Sequence, residues 1–257
     1  MYLQITSKCN MDCMHCCYAC NMRGRHMPLD RVKKAITMMK RLSDDESCIC
    51  LGGGEPTLHP NFFEILKICM KKFNHVWLAT NGSQTASMYR LLHIIRGTDS
   101  ELFGRKRGKE IIRDQNVTVC LSLDKWHSAI DTNIVGLWKE FKNEDGFEIR
   151  DVGNKLARQG RAVTYSIGDY NRCVCDSLFF KWNGNIHVCG CNGAPIVGCV
   201  DKGFAWHWRK TKKLMEDELD GFNNTCYKSI RKHDRKFFSW LKEKDSLLRI
   251  FGYGYGK

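Results

Sequence analysis

Short β-rich runs that alternate with amphipathic helical patterns constrain this chain more than any other feature. Strands are predicted at Tyr2–Thr6, Cys48–Leu51, His75–Thr80, Val117–Leu123 and Arg161–Ile167. Between them, Leu29–Leu42 sets Val32, Ile36, Met39 and Leu42 on one helical face, Asn61–Lys72 does the same with Phe62, Ile65, Leu66 and Cys69, and Gln84–Arg96 with Met88, Leu91, Leu92 and Ile95. Each helix can cover one face of a parallel sheet, and the intervening loops suit right-handed βα crossovers, so the fold class is α/β. Asp30 and Asn61 stand where helices begin. Two stretches interrupt the alternation. Gly97–Asn116 carries Arg105, Lys106, Arg107 and Lys109 and reads as a solvated loop, with a polyanion contact as the alternative. After Ile167 the composition shifts to Cys173, Cys175, Cys189, Cys191, Cys199 and Cys226 among Trp182, Trp206 and Trp208, so residues 1–168 and 169–257 are expected to form two units.

Composition excludes several classes. At 257 residues and 43% apolar, the chain can build one full core and a small annex. It contains no apolar run of about 18 residues, and it reaches Cys9 before any signal-peptide core could form, so the expectation is a cytoplasmic protein with no membrane partner. Fifteen cysteines, an odd number in a chain too long to need disulfide staples, point to reduced thiolates that bind metal. The formal charge of +13 attracts polyanions such as DNA or RNA, or equally describes a basic surface in water.

Two motifs follow predicted strands. Cys9-Asn-Met-Asp-Cys13-Met-His-Cys16 is a CxxxCxxC array directly after the first strand. Its three thiols can converge on one inorganic cluster and leave a [4Fe–4S] cube one ligand short, with one iron open; structural zinc is the alternative. Leu51-Gly52-Gly53-Gly54-Glu55-Pro56 puts flexible backbone and one carboxylate at the carboxyl end of the second strand, the end at which β/α folds bind ligands. Glu55 is expected to meet a cationic group near the first loop, and the bland reading is a tight turn.

These two motifs, each after its own strand, make the stretch from Tyr2 to Ile167 resemble the radical S-adenosylmethionine (SAM) superfamily. The resemblance implies a partial (β/α)6 barrel, a [4Fe–4S] cluster on Cys9, Cys13 and Cys16, and SAM chelated to the fourth iron. It places His15 at the usually aromatic position before the last cysteine, and Gly53, Gly54 and Glu55 at the methionine end of SAM, with Glu55 as the catalytic candidate. Asn81 after the third strand, and Ser122 and Asp124 after the fourth, resemble further SAM-facing strand ends. The chemistry implied is one-electron reduction from a flavodoxin- or ferredoxin-type donor, cleavage of SAM to a 5′-deoxyadenosyl radical, and hydrogen abstraction from the substrate.

From Cys175 to Cys189 the chain reads as a β-hairpin turning at Asn183-Gly184. Together with the surrounding cysteines it resembles the SPASM or Twitch extensions of radical SAM enzymes, which carry an auxiliary [4Fe–4S] cluster. Cys175, Cys189, Cys191 and Cys226 are the ligands this implies, with Cys173 and Cys199 as substitutes; buried free thiols and a zinc site are the alternatives. The tail beyond Asp201 reads as basic helices with interleaved aromatics. Cys17, Cys20, Cys48, Cys50, Cys69 and Cys120 read as packing residues. Three functions are carried forward. The first is modification of a nucleobase in DNA or RNA, on the strength of charge. The second is peptide or protein maturation of the RiPP type, and the third is a non-enzymatic iron–sulfur or zinc module.

Overall fold

The structure is a computed structural model that describes residues 1–42, 48–103, 116–153, 160–168, 178–187, 190, 194 and 196–202. Five strands lie side by side in chain order and parallel: β1 (Tyr2–Thr6), β2 (Cys48–Gly53), β3 (His75–Thr80), β4 (Val117–Ser122) and β5 (Phe147–Arg150). The helices between them are α1 (Leu29–Leu42), α2 (Phe62–Lys72), α3 (Thr85–Ile95), α4 (Ser100–Phe103) and α5 (Thr132–Phe141), followed by α6 (Arg161–Thr164). Leu3, Ile49, Leu51, Val76, Leu78 and Val119 point from the strands into a dry layer with Ile36, Met39, Ile65, Leu91 and Trp138 from the helices, all fully buried. Because side chains alternate along a strand, Tyr2, Cys50, Trp77, Ala79, Ser122 and Arg150 fall on the opposite face, and all six line a cavity there.

The hairpin read around Asn183-Gly184 is present: β6 (Phe179–Phe180) pairs antiparallel with β7 (Asn185–His187), and β7 with β8 (Ile196–Cys199). Gly184, at φ +91°, makes the turn, and its N–H donates to Lys181 O at 2.8 Å. β6 also pairs in parallel with β1, so the described strands form one open sheet in the order β5-β4-β3-β2-β1-β6-β7-β8.

Four readings need correction. Arg161–Ile167 is no strand: Gly160 at φ +56° turns the chain, and Arg161 N bonds to Cys16 O at 3.0 Å, so the segment starts as α6, with Val163 exposed rather than packed. β5 and α5 went unread, and Cys48, taken as a packing residue, is exposed at the start of β2. The segment Gly97–Asn116 is not loop throughout, since Ser100–Phe103 forms α4; residues 104–115, with its cationic cluster, lie outside the described residues. So do Cys173, Cys175, Cys189, Cys191, Cys226 and the tail beyond residue 202. Among the described residues no helix is long and apolar enough to cross a membrane.

One glycine of β2 is dictated by the inner face. A Cβ at Gly52 would lie 2.0 Å from the Tyr2 hydroxyl, because the Tyr2 ring crosses over it. Gly136 in α5 is exposed with open space around it. Gly52→Ala is therefore expected to destabilise the metal-free protein by about 1–3 kcal/mol through overpacking, and Gly136→Ala to stabilise it by up to about 1 kcal/mol. Urea unfolding of the two variants beside wild type checks both signs.

Candidate functional site

The segment after β1 leaves the sheet and returns to its start. Cys9 N donates to Asn21 O at 3.0 Å, Ser7 N to Arg25 O at 2.9 Å and Met27 N to Ile5 O at 2.8 Å, so the cysteine loop closes on itself. The turn after β2 lies against the root of that loop. Gly54 N donates to Thr6 O at 2.8 Å and Glu55 N to Lys8 O at 2.9 Å. A Cβ at Gly53 would be 2.4 Å from Thr6 O; one at Gly54 would be 2.3 Å from Lys8 O and 3.0 Å from Cys9 Cβ. Glycine is required at both positions by the close approach of the two backbones.

Cys9, Cys13 and Cys16, with His15, Gly53, Gly54, Asn81 and Ser122, line one cavity of about 540 Å³. Burial pushes the Cys9 and Cys13 thiols up to about 11 each. Cys16 is held below the usual thiol range, chiefly by the Cys20 thiol that donates to it. No carboxylate lines the cavity among its described residues, and the sulfur-rich lining also includes Cys17, Cys20 and Cys50. Such a donor set suits iron–sulfur chemistry or zinc, and loading it must displace protons from the buried thiols.

Glu55 is fully buried, outside that lining, and its carboxylate is taken by neutral donors. Oε1 accepts from Thr57 Oγ1 at 2.6 Å, Thr57 N at 3.1 Å and Thr80 Oγ1 at 2.8 Å, and Oε2 accepts from Asn81 N at 2.7 Å. Burial raises its pKa, and these donors oppose the rise. Among the described residues no cationic side chain meets the carboxylate, which ties the β2 turn to the end of β3. Asn81 carries the link onward, with Nδ2 at 3.8 Å from Cys9 Sγ and 3.2 Å from Asn10 Oδ1.

Beyond β4, Asp124 Oδ1 accepts from Trp126 N at 3.0 Å and faces His127 Nδ1 at 2.8 Å. Among the described residues Asp124 Oδ2 and His15 Nδ1 are buried without a hydrogen-bond partner, although His15 sits edge-on to His127 with ring centroids 5.1 Å apart. Burial holds His15 down at about 4 and hence neutral. His15, Asp124 and His127 each offer a ligand atom within 4.8 Å of the others, a corner fit for a cation or for the hydrogen-bonding edge of a bound molecule. Sequence reasoning missed His127, Arg150 and Arg161, which also line the cavity. Arg150 donates to Ser122 Oγ at 3.0 Å and has no carboxylate partner among the described residues. Trp77 Nε1 donates to Glu148 at 2.7 Å, and Tyr2 stacks on Phe179 at 4.5 Å.

The comparisons with known proteins agree with this geometry. A family model described as the radical SAM superfamily matches residues 3–97. The chain is 28% identical over 137 residues to the antilisterial bacteriocin subtilosin biosynthesis protein AlbA of Bacillus subtilis, across 52% of this chain and 26% of that protein. It is 29% identical over 83 residues to a 7,8-dihydro-6-hydroxymethylpterin dimethyltransferase of Methanocaldococcus jannaschii, across 31% of this chain and 16% of that protein. The chain thus spans about a quarter or less of the length of these curated relatives. Its fold is similar to that in the crystal structure of BtrN in complex with AdoMet and 2-DOIA, with a TM-score of 0.55, 15% identity and 84% of each chain covered.

If Glu55 braces the turn as described, Glu55→Ala strands four donor groups, two of them in buried bonds, and should destabilise the metal-free protein by more than about 2 kcal/mol. Denaturant midpoints check this, and a change under about 0.5 kcal/mol would deny the bracing role.

Proposed function

We propose that this chain, whose residues 3–97 match the radical SAM family model, is a radical SAM enzyme in which Cys9, Cys13 and Cys16 hold a [4Fe–4S] cluster beside a SAM site, and that it abstracts hydrogen from its substrate. The observation that carries this is the shared cavity of the three thiols and the Gly53-Gly54 turn, with the Gly54 Cβ position only 3.0 Å from Cys9 Cβ. When bound and reduced, the cluster supplies the electron that cleaves SAM to the radical that takes the hydrogen.

The chain's own residues hold and shield. Gly53 and Gly54 present backbone without side chains to the methionine end of SAM. Glu55 keeps that backbone in place through Thr57, Thr80 and Asn81, as a positioning group. Arg150, resting on the neutral Ser122 hydroxyl, offers positive charge to the methionine carboxylate. Asp124 Oδ2 and His15 Nδ1, both buried and unpartnered, are groups that the polar edges of the nucleoside would satisfy. Trp77, Tyr2 and Phe179 wall the cavity with aromatic surface that excludes water from a reactive centre. Cys175, Cys189, Cys191 and Cys226 are assigned to an auxiliary [4Fe–4S] cluster, supported by the antiparallel β6–β7 hairpin, in which Phe179 pairs with His187. A flavodoxin- or ferredoxin-type protein serves as the electron donor.

For the substrate, a peptide is favoured. The described cavity lining holds only two side chains of permanent positive charge, Arg150 and Arg161, few for a phosphate backbone, while its walls are aromatic and apolar. The bacteriocin-biosynthesis relative supports the same reading. Nucleobase modification remains the second reading, favoured by the +13 charge.

Anaerobically reconstituted protein should release 5′-deoxyadenosine from SAM under a low-potential reductant, and the Cys9→Ala, Cys13→Ala, Cys16→Ala triple variant should fall to background. Turnover that persists in the triple variant refutes the assignment. In a salt series, binding of duplex DNA or RNA is expected to be no tighter than non-specific, falling steeply as salt rises. Sequence-selective binding that survives physiological salt would favour the nucleobase reading.

A further inference from the structure

Arg161 opens α6, yet its polar contacts run back to the cysteine loop near the amino terminus. Its Nε donates to Cys13 O at 2.9 Å, Nη1 donates to Cys20 O at 2.8 Å and pairs with Asp12, and its backbone N donates to Cys16 O at 3.0 Å. The residue before it is shaped to the same surface. Gly160 has φ +56°, and a Cβ there would lie 2.4 Å from Cys17 O and 2.5 Å from Cys16 O. Glycine permits the contact and the planar guanidinium spans two carbonyls at once, a geometry that a lysine ammonium does not reproduce.

Charge points the same way. The Arg161 side chain is 15% exposed, while its partner Asp12 is 78% exposed, so solvent screens that carboxylate more than it screens the guanidinium. Arg161 lines the same cavity as Cys9, Cys13 and Cys16, and the described lining holds no carboxylate, so a fixed positive charge stands among the three sulfurs.

We propose that Gly160-Arg161 is a clasp that holds the cysteine loop in ligating shape and sets a fixed positive charge against the cluster, with Arg161 as a positioning residue and not a ligand. This rests on the reading that Cys9, Cys13 and Cys16 carry the cluster. A cluster on three thiolates gains negative charge when reduced, so a nearby cation favours the reduced form and raises the potential. Bonds that fix the carbonyls of the ligand loop act as an outer shell, whose loss typically weakens metal binding by about 10–100-fold.

The test uses the full chain with Arg161→Gln, which removes the charge, and Arg161→Lys, which keeps the charge and loses the fork. In metal-free protein, amide hydrogen exchange over residues 9–20 should quicken in both variants. In reconstituted protein, both should lose iron to a chelator about 10–100-fold more readily than wild type. An EPR-monitored redox titration should give a more negative potential for Arg161→Gln and a near-native one for Arg161→Lys. Wild-type exchange, iron retention and potential in Arg161→Gln overturn the proposal, and wild-type retention in Arg161→Lys overturns the fork. Should Arg161→Gln fail to fold, Arg161→Lys still tests the clasp through lost retention at a preserved potential. A wild type that takes up no iron would count against the cluster reading alone, because exchange in the metal-free protein tests the clasp without it.

Discussion

The root of β1's loop and the turn after β2 touch backbone to backbone, and the rest of the site depends on that contact. Gly54 N on Thr6 O and Glu55 N on Lys8 O are two ordinary hydrogen bonds, each contributing about 1 kcal/mol net. The steric consequence is larger than the energy. With Thr6 O and Lys8 O standing where Cβ atoms at Gly53 and Gly54 would go, only a glycine pair lets the strand that launches the cysteine loop lie so close to its neighbour. The thiol of Cys9 is thereby delivered to the rim of the cavity by the sheet itself, before any metal is considered.

Around this contact the inner face of the sheet is built unlike the outer one. The helix-covered face is a dry layer of Leu, Ile, Val and Met with Trp138. The inner face carries Tyr2, Trp77, Glu148, Ser122 and Arg150, joined within the face by the Trp77–Glu148 and Arg150–Ser122 bonds. Buried polar groups are stable only when satisfied, and among the described residues Asp124 Oδ2 and His15 Nδ1 have no hydrogen-bond partner. Glu55 behaves in the opposite way: four donors hold a carboxylate with no exposure at all, and it stiffens the frame instead of facing the cavity.

Much of the frame was legible because it is local. Leu29–Leu42 reads as a helix with both ends correct, since its apolar residues recur at helical spacing, and His75–Thr80 reads as a strand in full. The cysteine array and the glycine turn were legible for the same reason, being short motifs that each follow a strand. β5 escaped notice because Phe147-Glu-Ile-Arg is too short for a period, and Gly136 weakens the helical signal of α5. Arg161–Ile167 has the composition of a strand, but the left-handed turn at Gly160 and the bond to Cys16 O override propensity. Arg161 and Arg150 owe their place in the site to partners on other elements, at sequence separations of 148 from Arg161 to Cys13 and 28 from Arg150 to Ser122, which no local pattern records.

The most direct measurement of the central claim is anomalous diffraction at the iron edge from anaerobically reconstituted crystals with SAM present. The result expected is one cubane within bonding reach of Cys9, Cys13 and Cys16, beside the Gly53-Gly54 turn, with its fourth iron ligated by SAM and by no protein atom. Iron placed away from those three thiols, or a zinc ion closed by four protein ligands among them, would contradict it.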